Sequence, residues 1–325
     1  MRCVARRRLL LSYLYVPGHQ PDRIERAYSS EADAVILDLE DGVPAPKKTY
    51  AREVVSRLTA EPMPKPTFVR VNSMASGRCK DDVLAVAGAG LDGLRLPKVG
   101  HTADVVQVAG LLKEAGSAAA IHLLLESAYA LEFAYAFATA APAVEMLGLG
   151  ESDLRVDLGC DLDGMTMDAG RIRVISASRA ARLASPCQSV FAEVREPDSL
   201  RSSCEHGKRL GFLGRMAIHP AQLPIIHEVY RPSPEEIATA REICAAADAQ
   251  REDTSVVVSA KRKLVAPPIL ANARRVLELA RALDLLEPDL PDSGQPEPEL
   301  TGSGLTEPDL TEPDLTEPDL TGTAS

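Results

Sequence analysis

The chain has no tryptophan, and aromatic residues make up only 4% of its 325 residues. Its apolar mass is carried by Ala, Leu and Val, which suits helices wrapped around buried strands. No apolar run reaches the ~18 residues that a membrane-spanning helix needs, so no span is expected. None of the six cysteines (3, 79, 160, 187, 204 and 244) pairs with another at C-x-x-C spacing, and no histidine cluster accompanies them. That argues against a zinc or disulfide framework and for reduced thiols in a cytoplasmic protein. A basic surplus is also missing. The net charge is −11, and the eleven acids beyond residue 286 sit in a stretch without Lys or Arg. Removing those eleven leaves 36 acids against 36 bases. The folded part is therefore neutral, and nothing in it points to nucleic acid.

What is present is an alternation of short apolar runs with helical patterns. Residues 11–17, 34–40, 68–72, 93–99, 121–126, 145–151, 189–194 and 215–220 read as eight strands. Stretches such as 102–116 and 167–184 read as the helices between them. The N-terminal basic run followed by about eight apolar residues imitates a signal peptide. Pro17-Gly18 ends that run with no cleavage signal after it, so a buried first strand is expected. Eight strand–helix units predict an α/β fold of (β/α)8 TIM-type barrel over residues 1–230, with an open doubly wound sheet as the alternative. Two further helices, 233–250 and 267–286, exceed the barrel's needs and predict a C-terminal helical lid or arm over residues 231–286. From 287 to 325 the chain is Pro-rich and acidic, with TEPDL three times in tandem. Such a segment buries too little apolar surface to offset its ordering entropy, and a disordered acidic tail is expected.

In a barrel the chemistry lies at the C-terminal ends of the strands. Asp38, Glu40 and Asp41 end the second strand. Arg70 and Asn72 end the third, Lys98 the fourth and Glu126 the fifth, and Glu151 and Asp153 follow the sixth. One carboxylate from each of two neighbouring strand ends, Glu126 and Asp153, is the open oxygen site that Mg²⁺ accepts.

The segments SYLYVPG, VILDLEDGVPAPKKTYAR, FVRVNS, LRLPKV, LLLESAYAL, LGLGESDLRVDLG and MAIHPAQLPIIHEVYRPSPEEI resemble the citrate lyase β-subunit-like CoA-ester lyases of the HpcH/HpaI aldolase superfamily. The resemblance spans roughly residues 11–280. It implies Mg²⁺ held by Glu126 and Asp153, and Arg70 on substrate oxygens. Glu40 and Asp41 would order the metal's water shell. Lys47 or Lys48, with Lys98, would stand near the CoA phosphates and the substrate rim. Ile218, His219 and Pro220 would close the last strand near the nucleotide end of CoA, with His219 structural rather than catalytic.

The implied reaction makes or breaks a C–C bond in a β-hydroxyacyl-CoA of citramalyl-, malyl- or citryl-CoA type. The implied partners are a CoA thioester and a small keto acid, and the implied assembly is a homotrimer or a multiple of it. Three departures stand out. KLVAPP places Ala266 where the family carries an acid/base Asp, and Glu252 and Asp253 lie upstream as substitutes. Leu11 replaces a basic residue before the first strand. Ser152 stands where relatives have Glu before the metal Asp. Ala266 keeps open a non-catalytic CoA-ester-binding homologue, and the metal site alone would serve an aldolase of free hydroxy-keto acids.

Overall fold

In the computed structural model, residues 9–249, 257–258 and 264–286 are described. The acidic tail 287–325, together with Glu252 and Asp253, lies outside the described residues. Seven parallel strands form one sheet: β1 (Ser12–Pro17), β2 (Ala34–Asp38), β3 (Thr67–Arg70), β4 (Gly93–Leu96), β5 (Ala120–Leu125), β6 (Val144–Leu149) and β7 (Arg215–Ala217). Their order is β6-β5-β4-β3-β2-β1-β7. Strands β1 to β6 each lie beside their neighbour in sequence, and β7 returns to the free edge of β1. In a flat open sheet that return would mark a switch point; here the sheet curls into a partial barrel, and the return runs toward closure.

Helices cover the outer face: α1 (Pro21–Tyr28), α2 (Lys48–Thr59), α3 (Cys79–Val86), α4 (Thr102–Glu114), α5 (Ala128–Glu132), α6 (Ala134–Ala138), α7 (Glu151–Leu158), α8 (Met165–Ala180), α9 (Pro197–Leu210) and α10 (Leu223–Tyr230). Two more follow, α11 (Pro234–Ala249) and α12 (Pro267–Ala282). The compact unit ends at Leu285. Strands covered on both faces read as near-continuous apolar runs. β2, Ala34–Asp38, is buried at every position.

The sheet curls. Rings from three alternate strands meet on its inner face. Tyr13 of β1 lies 5.4 Å from Phe68 of β3, and Phe68 stacks at 4.6 Å on His122 of β5. Layers of side chains from alternate strands are how barrel interiors fill. A separate and larger core, including Leu37, Val69, Leu94, Leu123 and Leu147, lies between strands and helices.

The expected strand at 189–194 is corrected. Gln188 makes only an isolated bridge to Arg215. On the other side the same stretch touches β6 through one bond, Ala184 N to Glu145 O at 3.2 Å. Beyond Ser189 the chain turns outward, leaving Ala192 and Glu193 exposed. The apolar letters of SVFAEV satisfied the pattern, but its backbone is committed elsewhere. Val194 N bonds within a turn, and Phe191 O accepts from Gln222 Nε2. The architecture is thus α/β with a parallel seven-stranded sheet forming a partial barrel. Among the described residues no helix is long and apolar enough to cross a membrane.

Candidate active site

A cavity of about 320 Å³ opens at the C-terminal ends of the strands, lined among others by Tyr15, Arg70, Arg95, Glu126 and Asp153. Asp38, the last residue of β2, organises one wall. Its Oδ1 accepts from Glu40 N at 2.9 Å and its Oδ2 from Gly42 N at 2.8 Å, so the carboxylate shapes the turn that follows its own strand. The same two oxygens receive Arg70 Nε and Nη2 of β3, both at 2.7 Å. Arg70 Nη1 then lies 3.2 Å from Glu40 Oε2 and 3.8 Å from Asp41 Oδ2, with the guanidinium over the Tyr15 ring at 5.0 Å. Bidentate pairing fixes an arginine in place as well as in charge.

Lys98 completes this wall. Its Nζ reaches Glu40 Oε1 at 2.9 Å and Asp41 Oδ1 at 3.3 Å. Its backbone is left-handed, with φ 50°, a conformation that non-glycine residues adopt at a cost. Burial works against the Lys98 charge, but the hydrogen bond and charge of Glu40 outweigh it and hold the pKa above the ordinary lysine value. Burial pushes the buried Glu40 carboxyl up, against the pull of Arg70 and Lys98.

Glu126 faces this wall from the end of β5. It is 7% exposed, and among the described residues its Oε2 has no hydrogen-bond partner. Burial, with Glu40 and Asp153 adding negative charge nearby, pushes its pKa up to about 8. Gly150 makes room for it: a Cβ there would stand 2.4 Å from Glu126 Cγ and 2.5 Å from Oε1. Asp153, in the first turn of α7, is exposed to the cavity. Among the described residues no group of three or more His, Cys, Asp or Glu is placed to hold a metal. A hard cation such as Mg²⁺ asks for less, one or two carboxylates with water and substrate oxygens filling the rest. An orphaned buried carboxylate oxygen, a second carboxylate open to solvent and the mutual repulsion of the acids fit such an ion.

The remaining expected residues fall differently. Lys48 Nζ is spent on the Leu39 and Glu40 carbonyls, at 2.8 and 2.6 Å, and so braces the β2 turn. Lys47 is exposed at the end of a short 3-10 turn. Ile218 lines the cavity. His219 caps the turn Pro220–Gln222: its Nδ1 accepts from Ala221 N at 3.1 Å, while Gln222 Oε1 takes Ile218 N and His219 N. Pro220 is exposed as the first residue of that turn. Glu151 lines the cavity with the other converging acids, but its carboxylate is taken. Arg171 of α8 grips it through Nε at 3.1 Å and Nη2 at 2.6 Å. Ala266 is the N-cap of α12 and offers it no side-chain cap. Asn72 is turned from the cavity to Asp82, at 2.6 Å.

Three contributors escaped the sequence reading. Tyr15 carries Arg70 on its ring, Gly150 clears the Glu126 side chain, and Arg95 enters the cavity from β4. An alternating-face reading of β1 and β4 points Tyr15 and Arg95 inward. No sequence signal marks Gly150. A Ser–His contact, Ser12 Oγ to His227 Nε2 at 2.7 Å, lies at the start of β1, at the end of the sheet away from the cavity, and shares Asp33 as its acceptor.

The model of the HpcH/HpaI aldolase/citrate lyase family matches residues 11–220. The chain belongs to this family. It is 35% identical over 277 residues to a (3S)-malyl-CoA thioesterase of Cereibacter sphaeroides, covering 84% of this chain and 95% of that one. To the citrate lyase subunit beta of Leuconostoc mesenteroides it is 28% identical, over 86% and 96% of the two chains. Among solved structures, the CitE protein of Mycobacterium tuberculosis, in complex with magnesium, acetoacetate and coenzyme A, superposes with TM-score 0.72 at 26% identity. That likeness covers 84% of this chain and 99% of that one. CoA-ester chemistry of the lyase and aldolase kind is thus the family's ground.

Proposed function

We propose that this protein is a Mg²⁺-dependent lyase that makes or breaks a C–C bond in a β-hydroxyacyl-CoA of malyl-, citramalyl- or citryl-CoA type. The carrying observation is the cavity that holds Glu126 and Asp153 opposite Arg70. Glu126 and Asp153 would hold the ion, which when bound supplies Lewis-acid polarisation of the substrate's hydroxyl and carboxylate oxygens. Arg70, held by Asp38 and seated on Tyr15, sets fixed positive charge against the thioester oxygen as negative charge develops there. Such charge needs no reorganisation at the moment of reaction. Glu40, Asp41 and Lys98 form a charged brace that keeps Arg70 in place and orders water at the rim. Lys47 stays free for a CoA phosphate, and Lys48 does not. Ala266 carries no titratable group, so the proton at the thioester α-carbon falls to another side chain or to water. A cytoplasmic homo-oligomer, with residues 231–286 as a lid and 287–325 as an acidic tail, belongs to the same reading.

A second reading has its own support. The relative at 35% identity is named a thioesterase, and the same site with an activated water would hydrolyse a malyl-type thioester. One assay separates the two. Full-length protein is given malyl-, citramalyl- and citryl-CoA, with Mg²⁺ and with EDTA. Lyase action releases acetyl-CoA with glyoxylate, pyruvate or oxaloacetate, respectively, and no free thiol. Hydrolysis releases the free CoA thiol and the intact hydroxy acid. Turnover that EDTA leaves unchanged would defeat both metal-dependent readings.

A further inference from the structure

Arg95 stands on β4 directly beside Arg70 in the parallel register, and the series Asp38, Arg70, Arg95, His122 runs across four adjacent strands. Like charges side by side on one face of a sheet repel. Arg70 escapes the penalty because Asp38 takes two of its donors. Arg95 does not. It is 1% exposed, and among the described residues its Nε and Nη1 have no hydrogen-bond partner. Burial raises the hydroxyl pKa of neighbouring Tyr15 and Tyr13, and pushes the Cys187 thiol up to about 12. All three are neutral and none supplies the missing anion. A buried guanidinium without a counter-charge is destabilising, and a fold tolerates it where a ligand offsets the cost.

Arg95 also lines the cavity, and its register partner His122 stands four residues before Glu126 along β5, so Arg95 sits deeper than Glu126 along the strand direction. Space is kept for it: a Cβ on Gly148 of β6 would stand 2.8 Å from Arg95 Nη2. We propose that Arg95 is a specificity-determining residue: its guanidinium receives a second carboxylate of the acyl group, one not used at the Arg70–Glu126–Asp153 rim. The substrate class is then an acyl-CoA whose acyl part keeps two free carboxylates beside the thioester, so that the keto acid derived from it is a dicarboxylate; malyl- and citramalyl-CoA, with one free carboxylate each, would leave Arg95 unpaired. This rests on the cavity being the substrate site proposed above. A planar fork suits a carboxylate, and the missing hydrogen bonds of Nε and Nη1 are those such an arm would accept.

The test compares two stable acids that differ by one carboxylate, malate and lactate. Calorimetry measures their binding to full-length wild type and Arg95→Met, each with Mg²⁺ and with EDTA. Wild type is expected to bind malate at least tenfold more tightly than lactate. In Arg95→Met the malate affinity should fall to that of lactate, with lactate unchanged within about twofold. A wild type without the preference, including one that binds neither acid, overturns the proposal, as does a preference that survives in Arg95→Met. If the preference holds but Mg²⁺ adds nothing, the metal-dependent reading fails while Arg95 stands. Should Arg95→Met not fold, Arg95→Lys keeps the charge and loses the fork, and the preference should drop at least threefold; an unchanged preference there also overturns it.

Discussion

Arg70 lies across Asp38 through two parallel hydrogen bonds, Nε to Oδ1 and Nη2 to Oδ2, both 2.7 Å, which leaves Nη1 as the nitrogen nearest Glu40. Lysine at this position keeps one charge but cannot reproduce the fork. Arg70→Lys is therefore expected to lower kcat/KM on the best CoA ester by ~10²–10³, the range for loss of a preorganised donor to a developing oxyanion. Steady-state kinetics reads it, with circular dichroism to show that the fold persists. A fall of less than threefold would remove Arg70 from the reaction.

If Glu126 holds the ion as proposed, it should set the pH response of metal binding. Its pKa is pushed up to about 8 by burial and by the neighbouring acids. At pH 6–7 the free carboxyl is mostly protonated, and a cation must displace that proton. Mg²⁺ affinity should rise close to tenfold per pH unit between pH 6 and 7.5 and level off above about 8. Near one proton should be released per ion at the low end, as read by calorimetry in buffers of different ionisation enthalpy. The stability sign runs the other way in the metal-free protein. Native Glu126 holds its proton to higher pH than the unfolded chain does, so its contribution to stability is present at low pH and lost as pH rises through about 8. Glu126→Gln should abolish the pH-dependent metal affinity and melt no lower than wild type at pH 8–9. A flat affinity profile in wild type would count against Glu126 as a ligand.

Much of this was legible before any coordinates. Strand positions followed from apolar runs such as AVILD, because a strand covered on both faces leaves little to alternate. Glu40, Arg70, Lys98, Glu126 and Asp153 converge because parallel strands send all their C-terminal ends to one rim. SVFAEV misled because an apolar run says nothing about where backbone donors go, and Gln222 and a local turn claimed them. Glu151 reaches the cavity as expected, but its pairing was not legible, because its partner Arg171 is 20 residues away, on α8. The resemblance offered Lys47 or Lys48 to the CoA phosphates, yet the Lys48 ammonium is tied to two carbonyls of the β2 turn. Pairings made by tertiary approach leave no trace in spacing.

Gly150 and Glu126 offer a steric test. Gly150 has φ −93°, which alanine tolerates, so any effect of Gly150→Ala comes from the added methyl. That methyl would meet the Glu126 side chain at 2.4–2.7 Å. Overpacking of this kind costs about 1–3 kcal/mol, and the least constrained response is rotation of Glu126 away from the cavity. Mg²⁺ affinity should fall at least tenfold, with a modest drop in Tm. Unchanged metal affinity would mean that Glu126 need not occupy its present position to bind the ion.

The Glu151–Arg171 pair is buried, and Arg171 also donates to Asp168 at 2.8 Å and to Leu162 O at 3.2 Å. Removing one partner strands the other, at ~3–5 kcal/mol. Arg171→Met and Glu151→Gln should each destabilise strongly, and the double variant by less than their sum. Denaturant unfolding in a double-mutant cycle measures this. Additive costs would show that the two side chains do not depend on one another.

Ala266 invites the opposite kind of change. It is the N-cap of α12, with φ −73° and ψ 157°, and the helix beyond it begins Pro267-Pro268 with no side-chain cap. Pro267 and Pro268 have no N–H, so an Asp here could accept only from Ile269 N, which already donates to the carbonyl of residue 266; its charge still complements the helix dipole, worth ~0.3–1 kcal/mol. Ala266→Asp should therefore raise Tm whatever the protein does. It would also restore a carboxylate where the resemblance puts the family's acid/base residue, so lyase turnover should rise at least several-fold with KM little changed. The two readouts separate the roles. A higher Tm with unchanged turnover would show that position 266 only caps α12, and that the α-carbon proton is already handled by another group in the cavity.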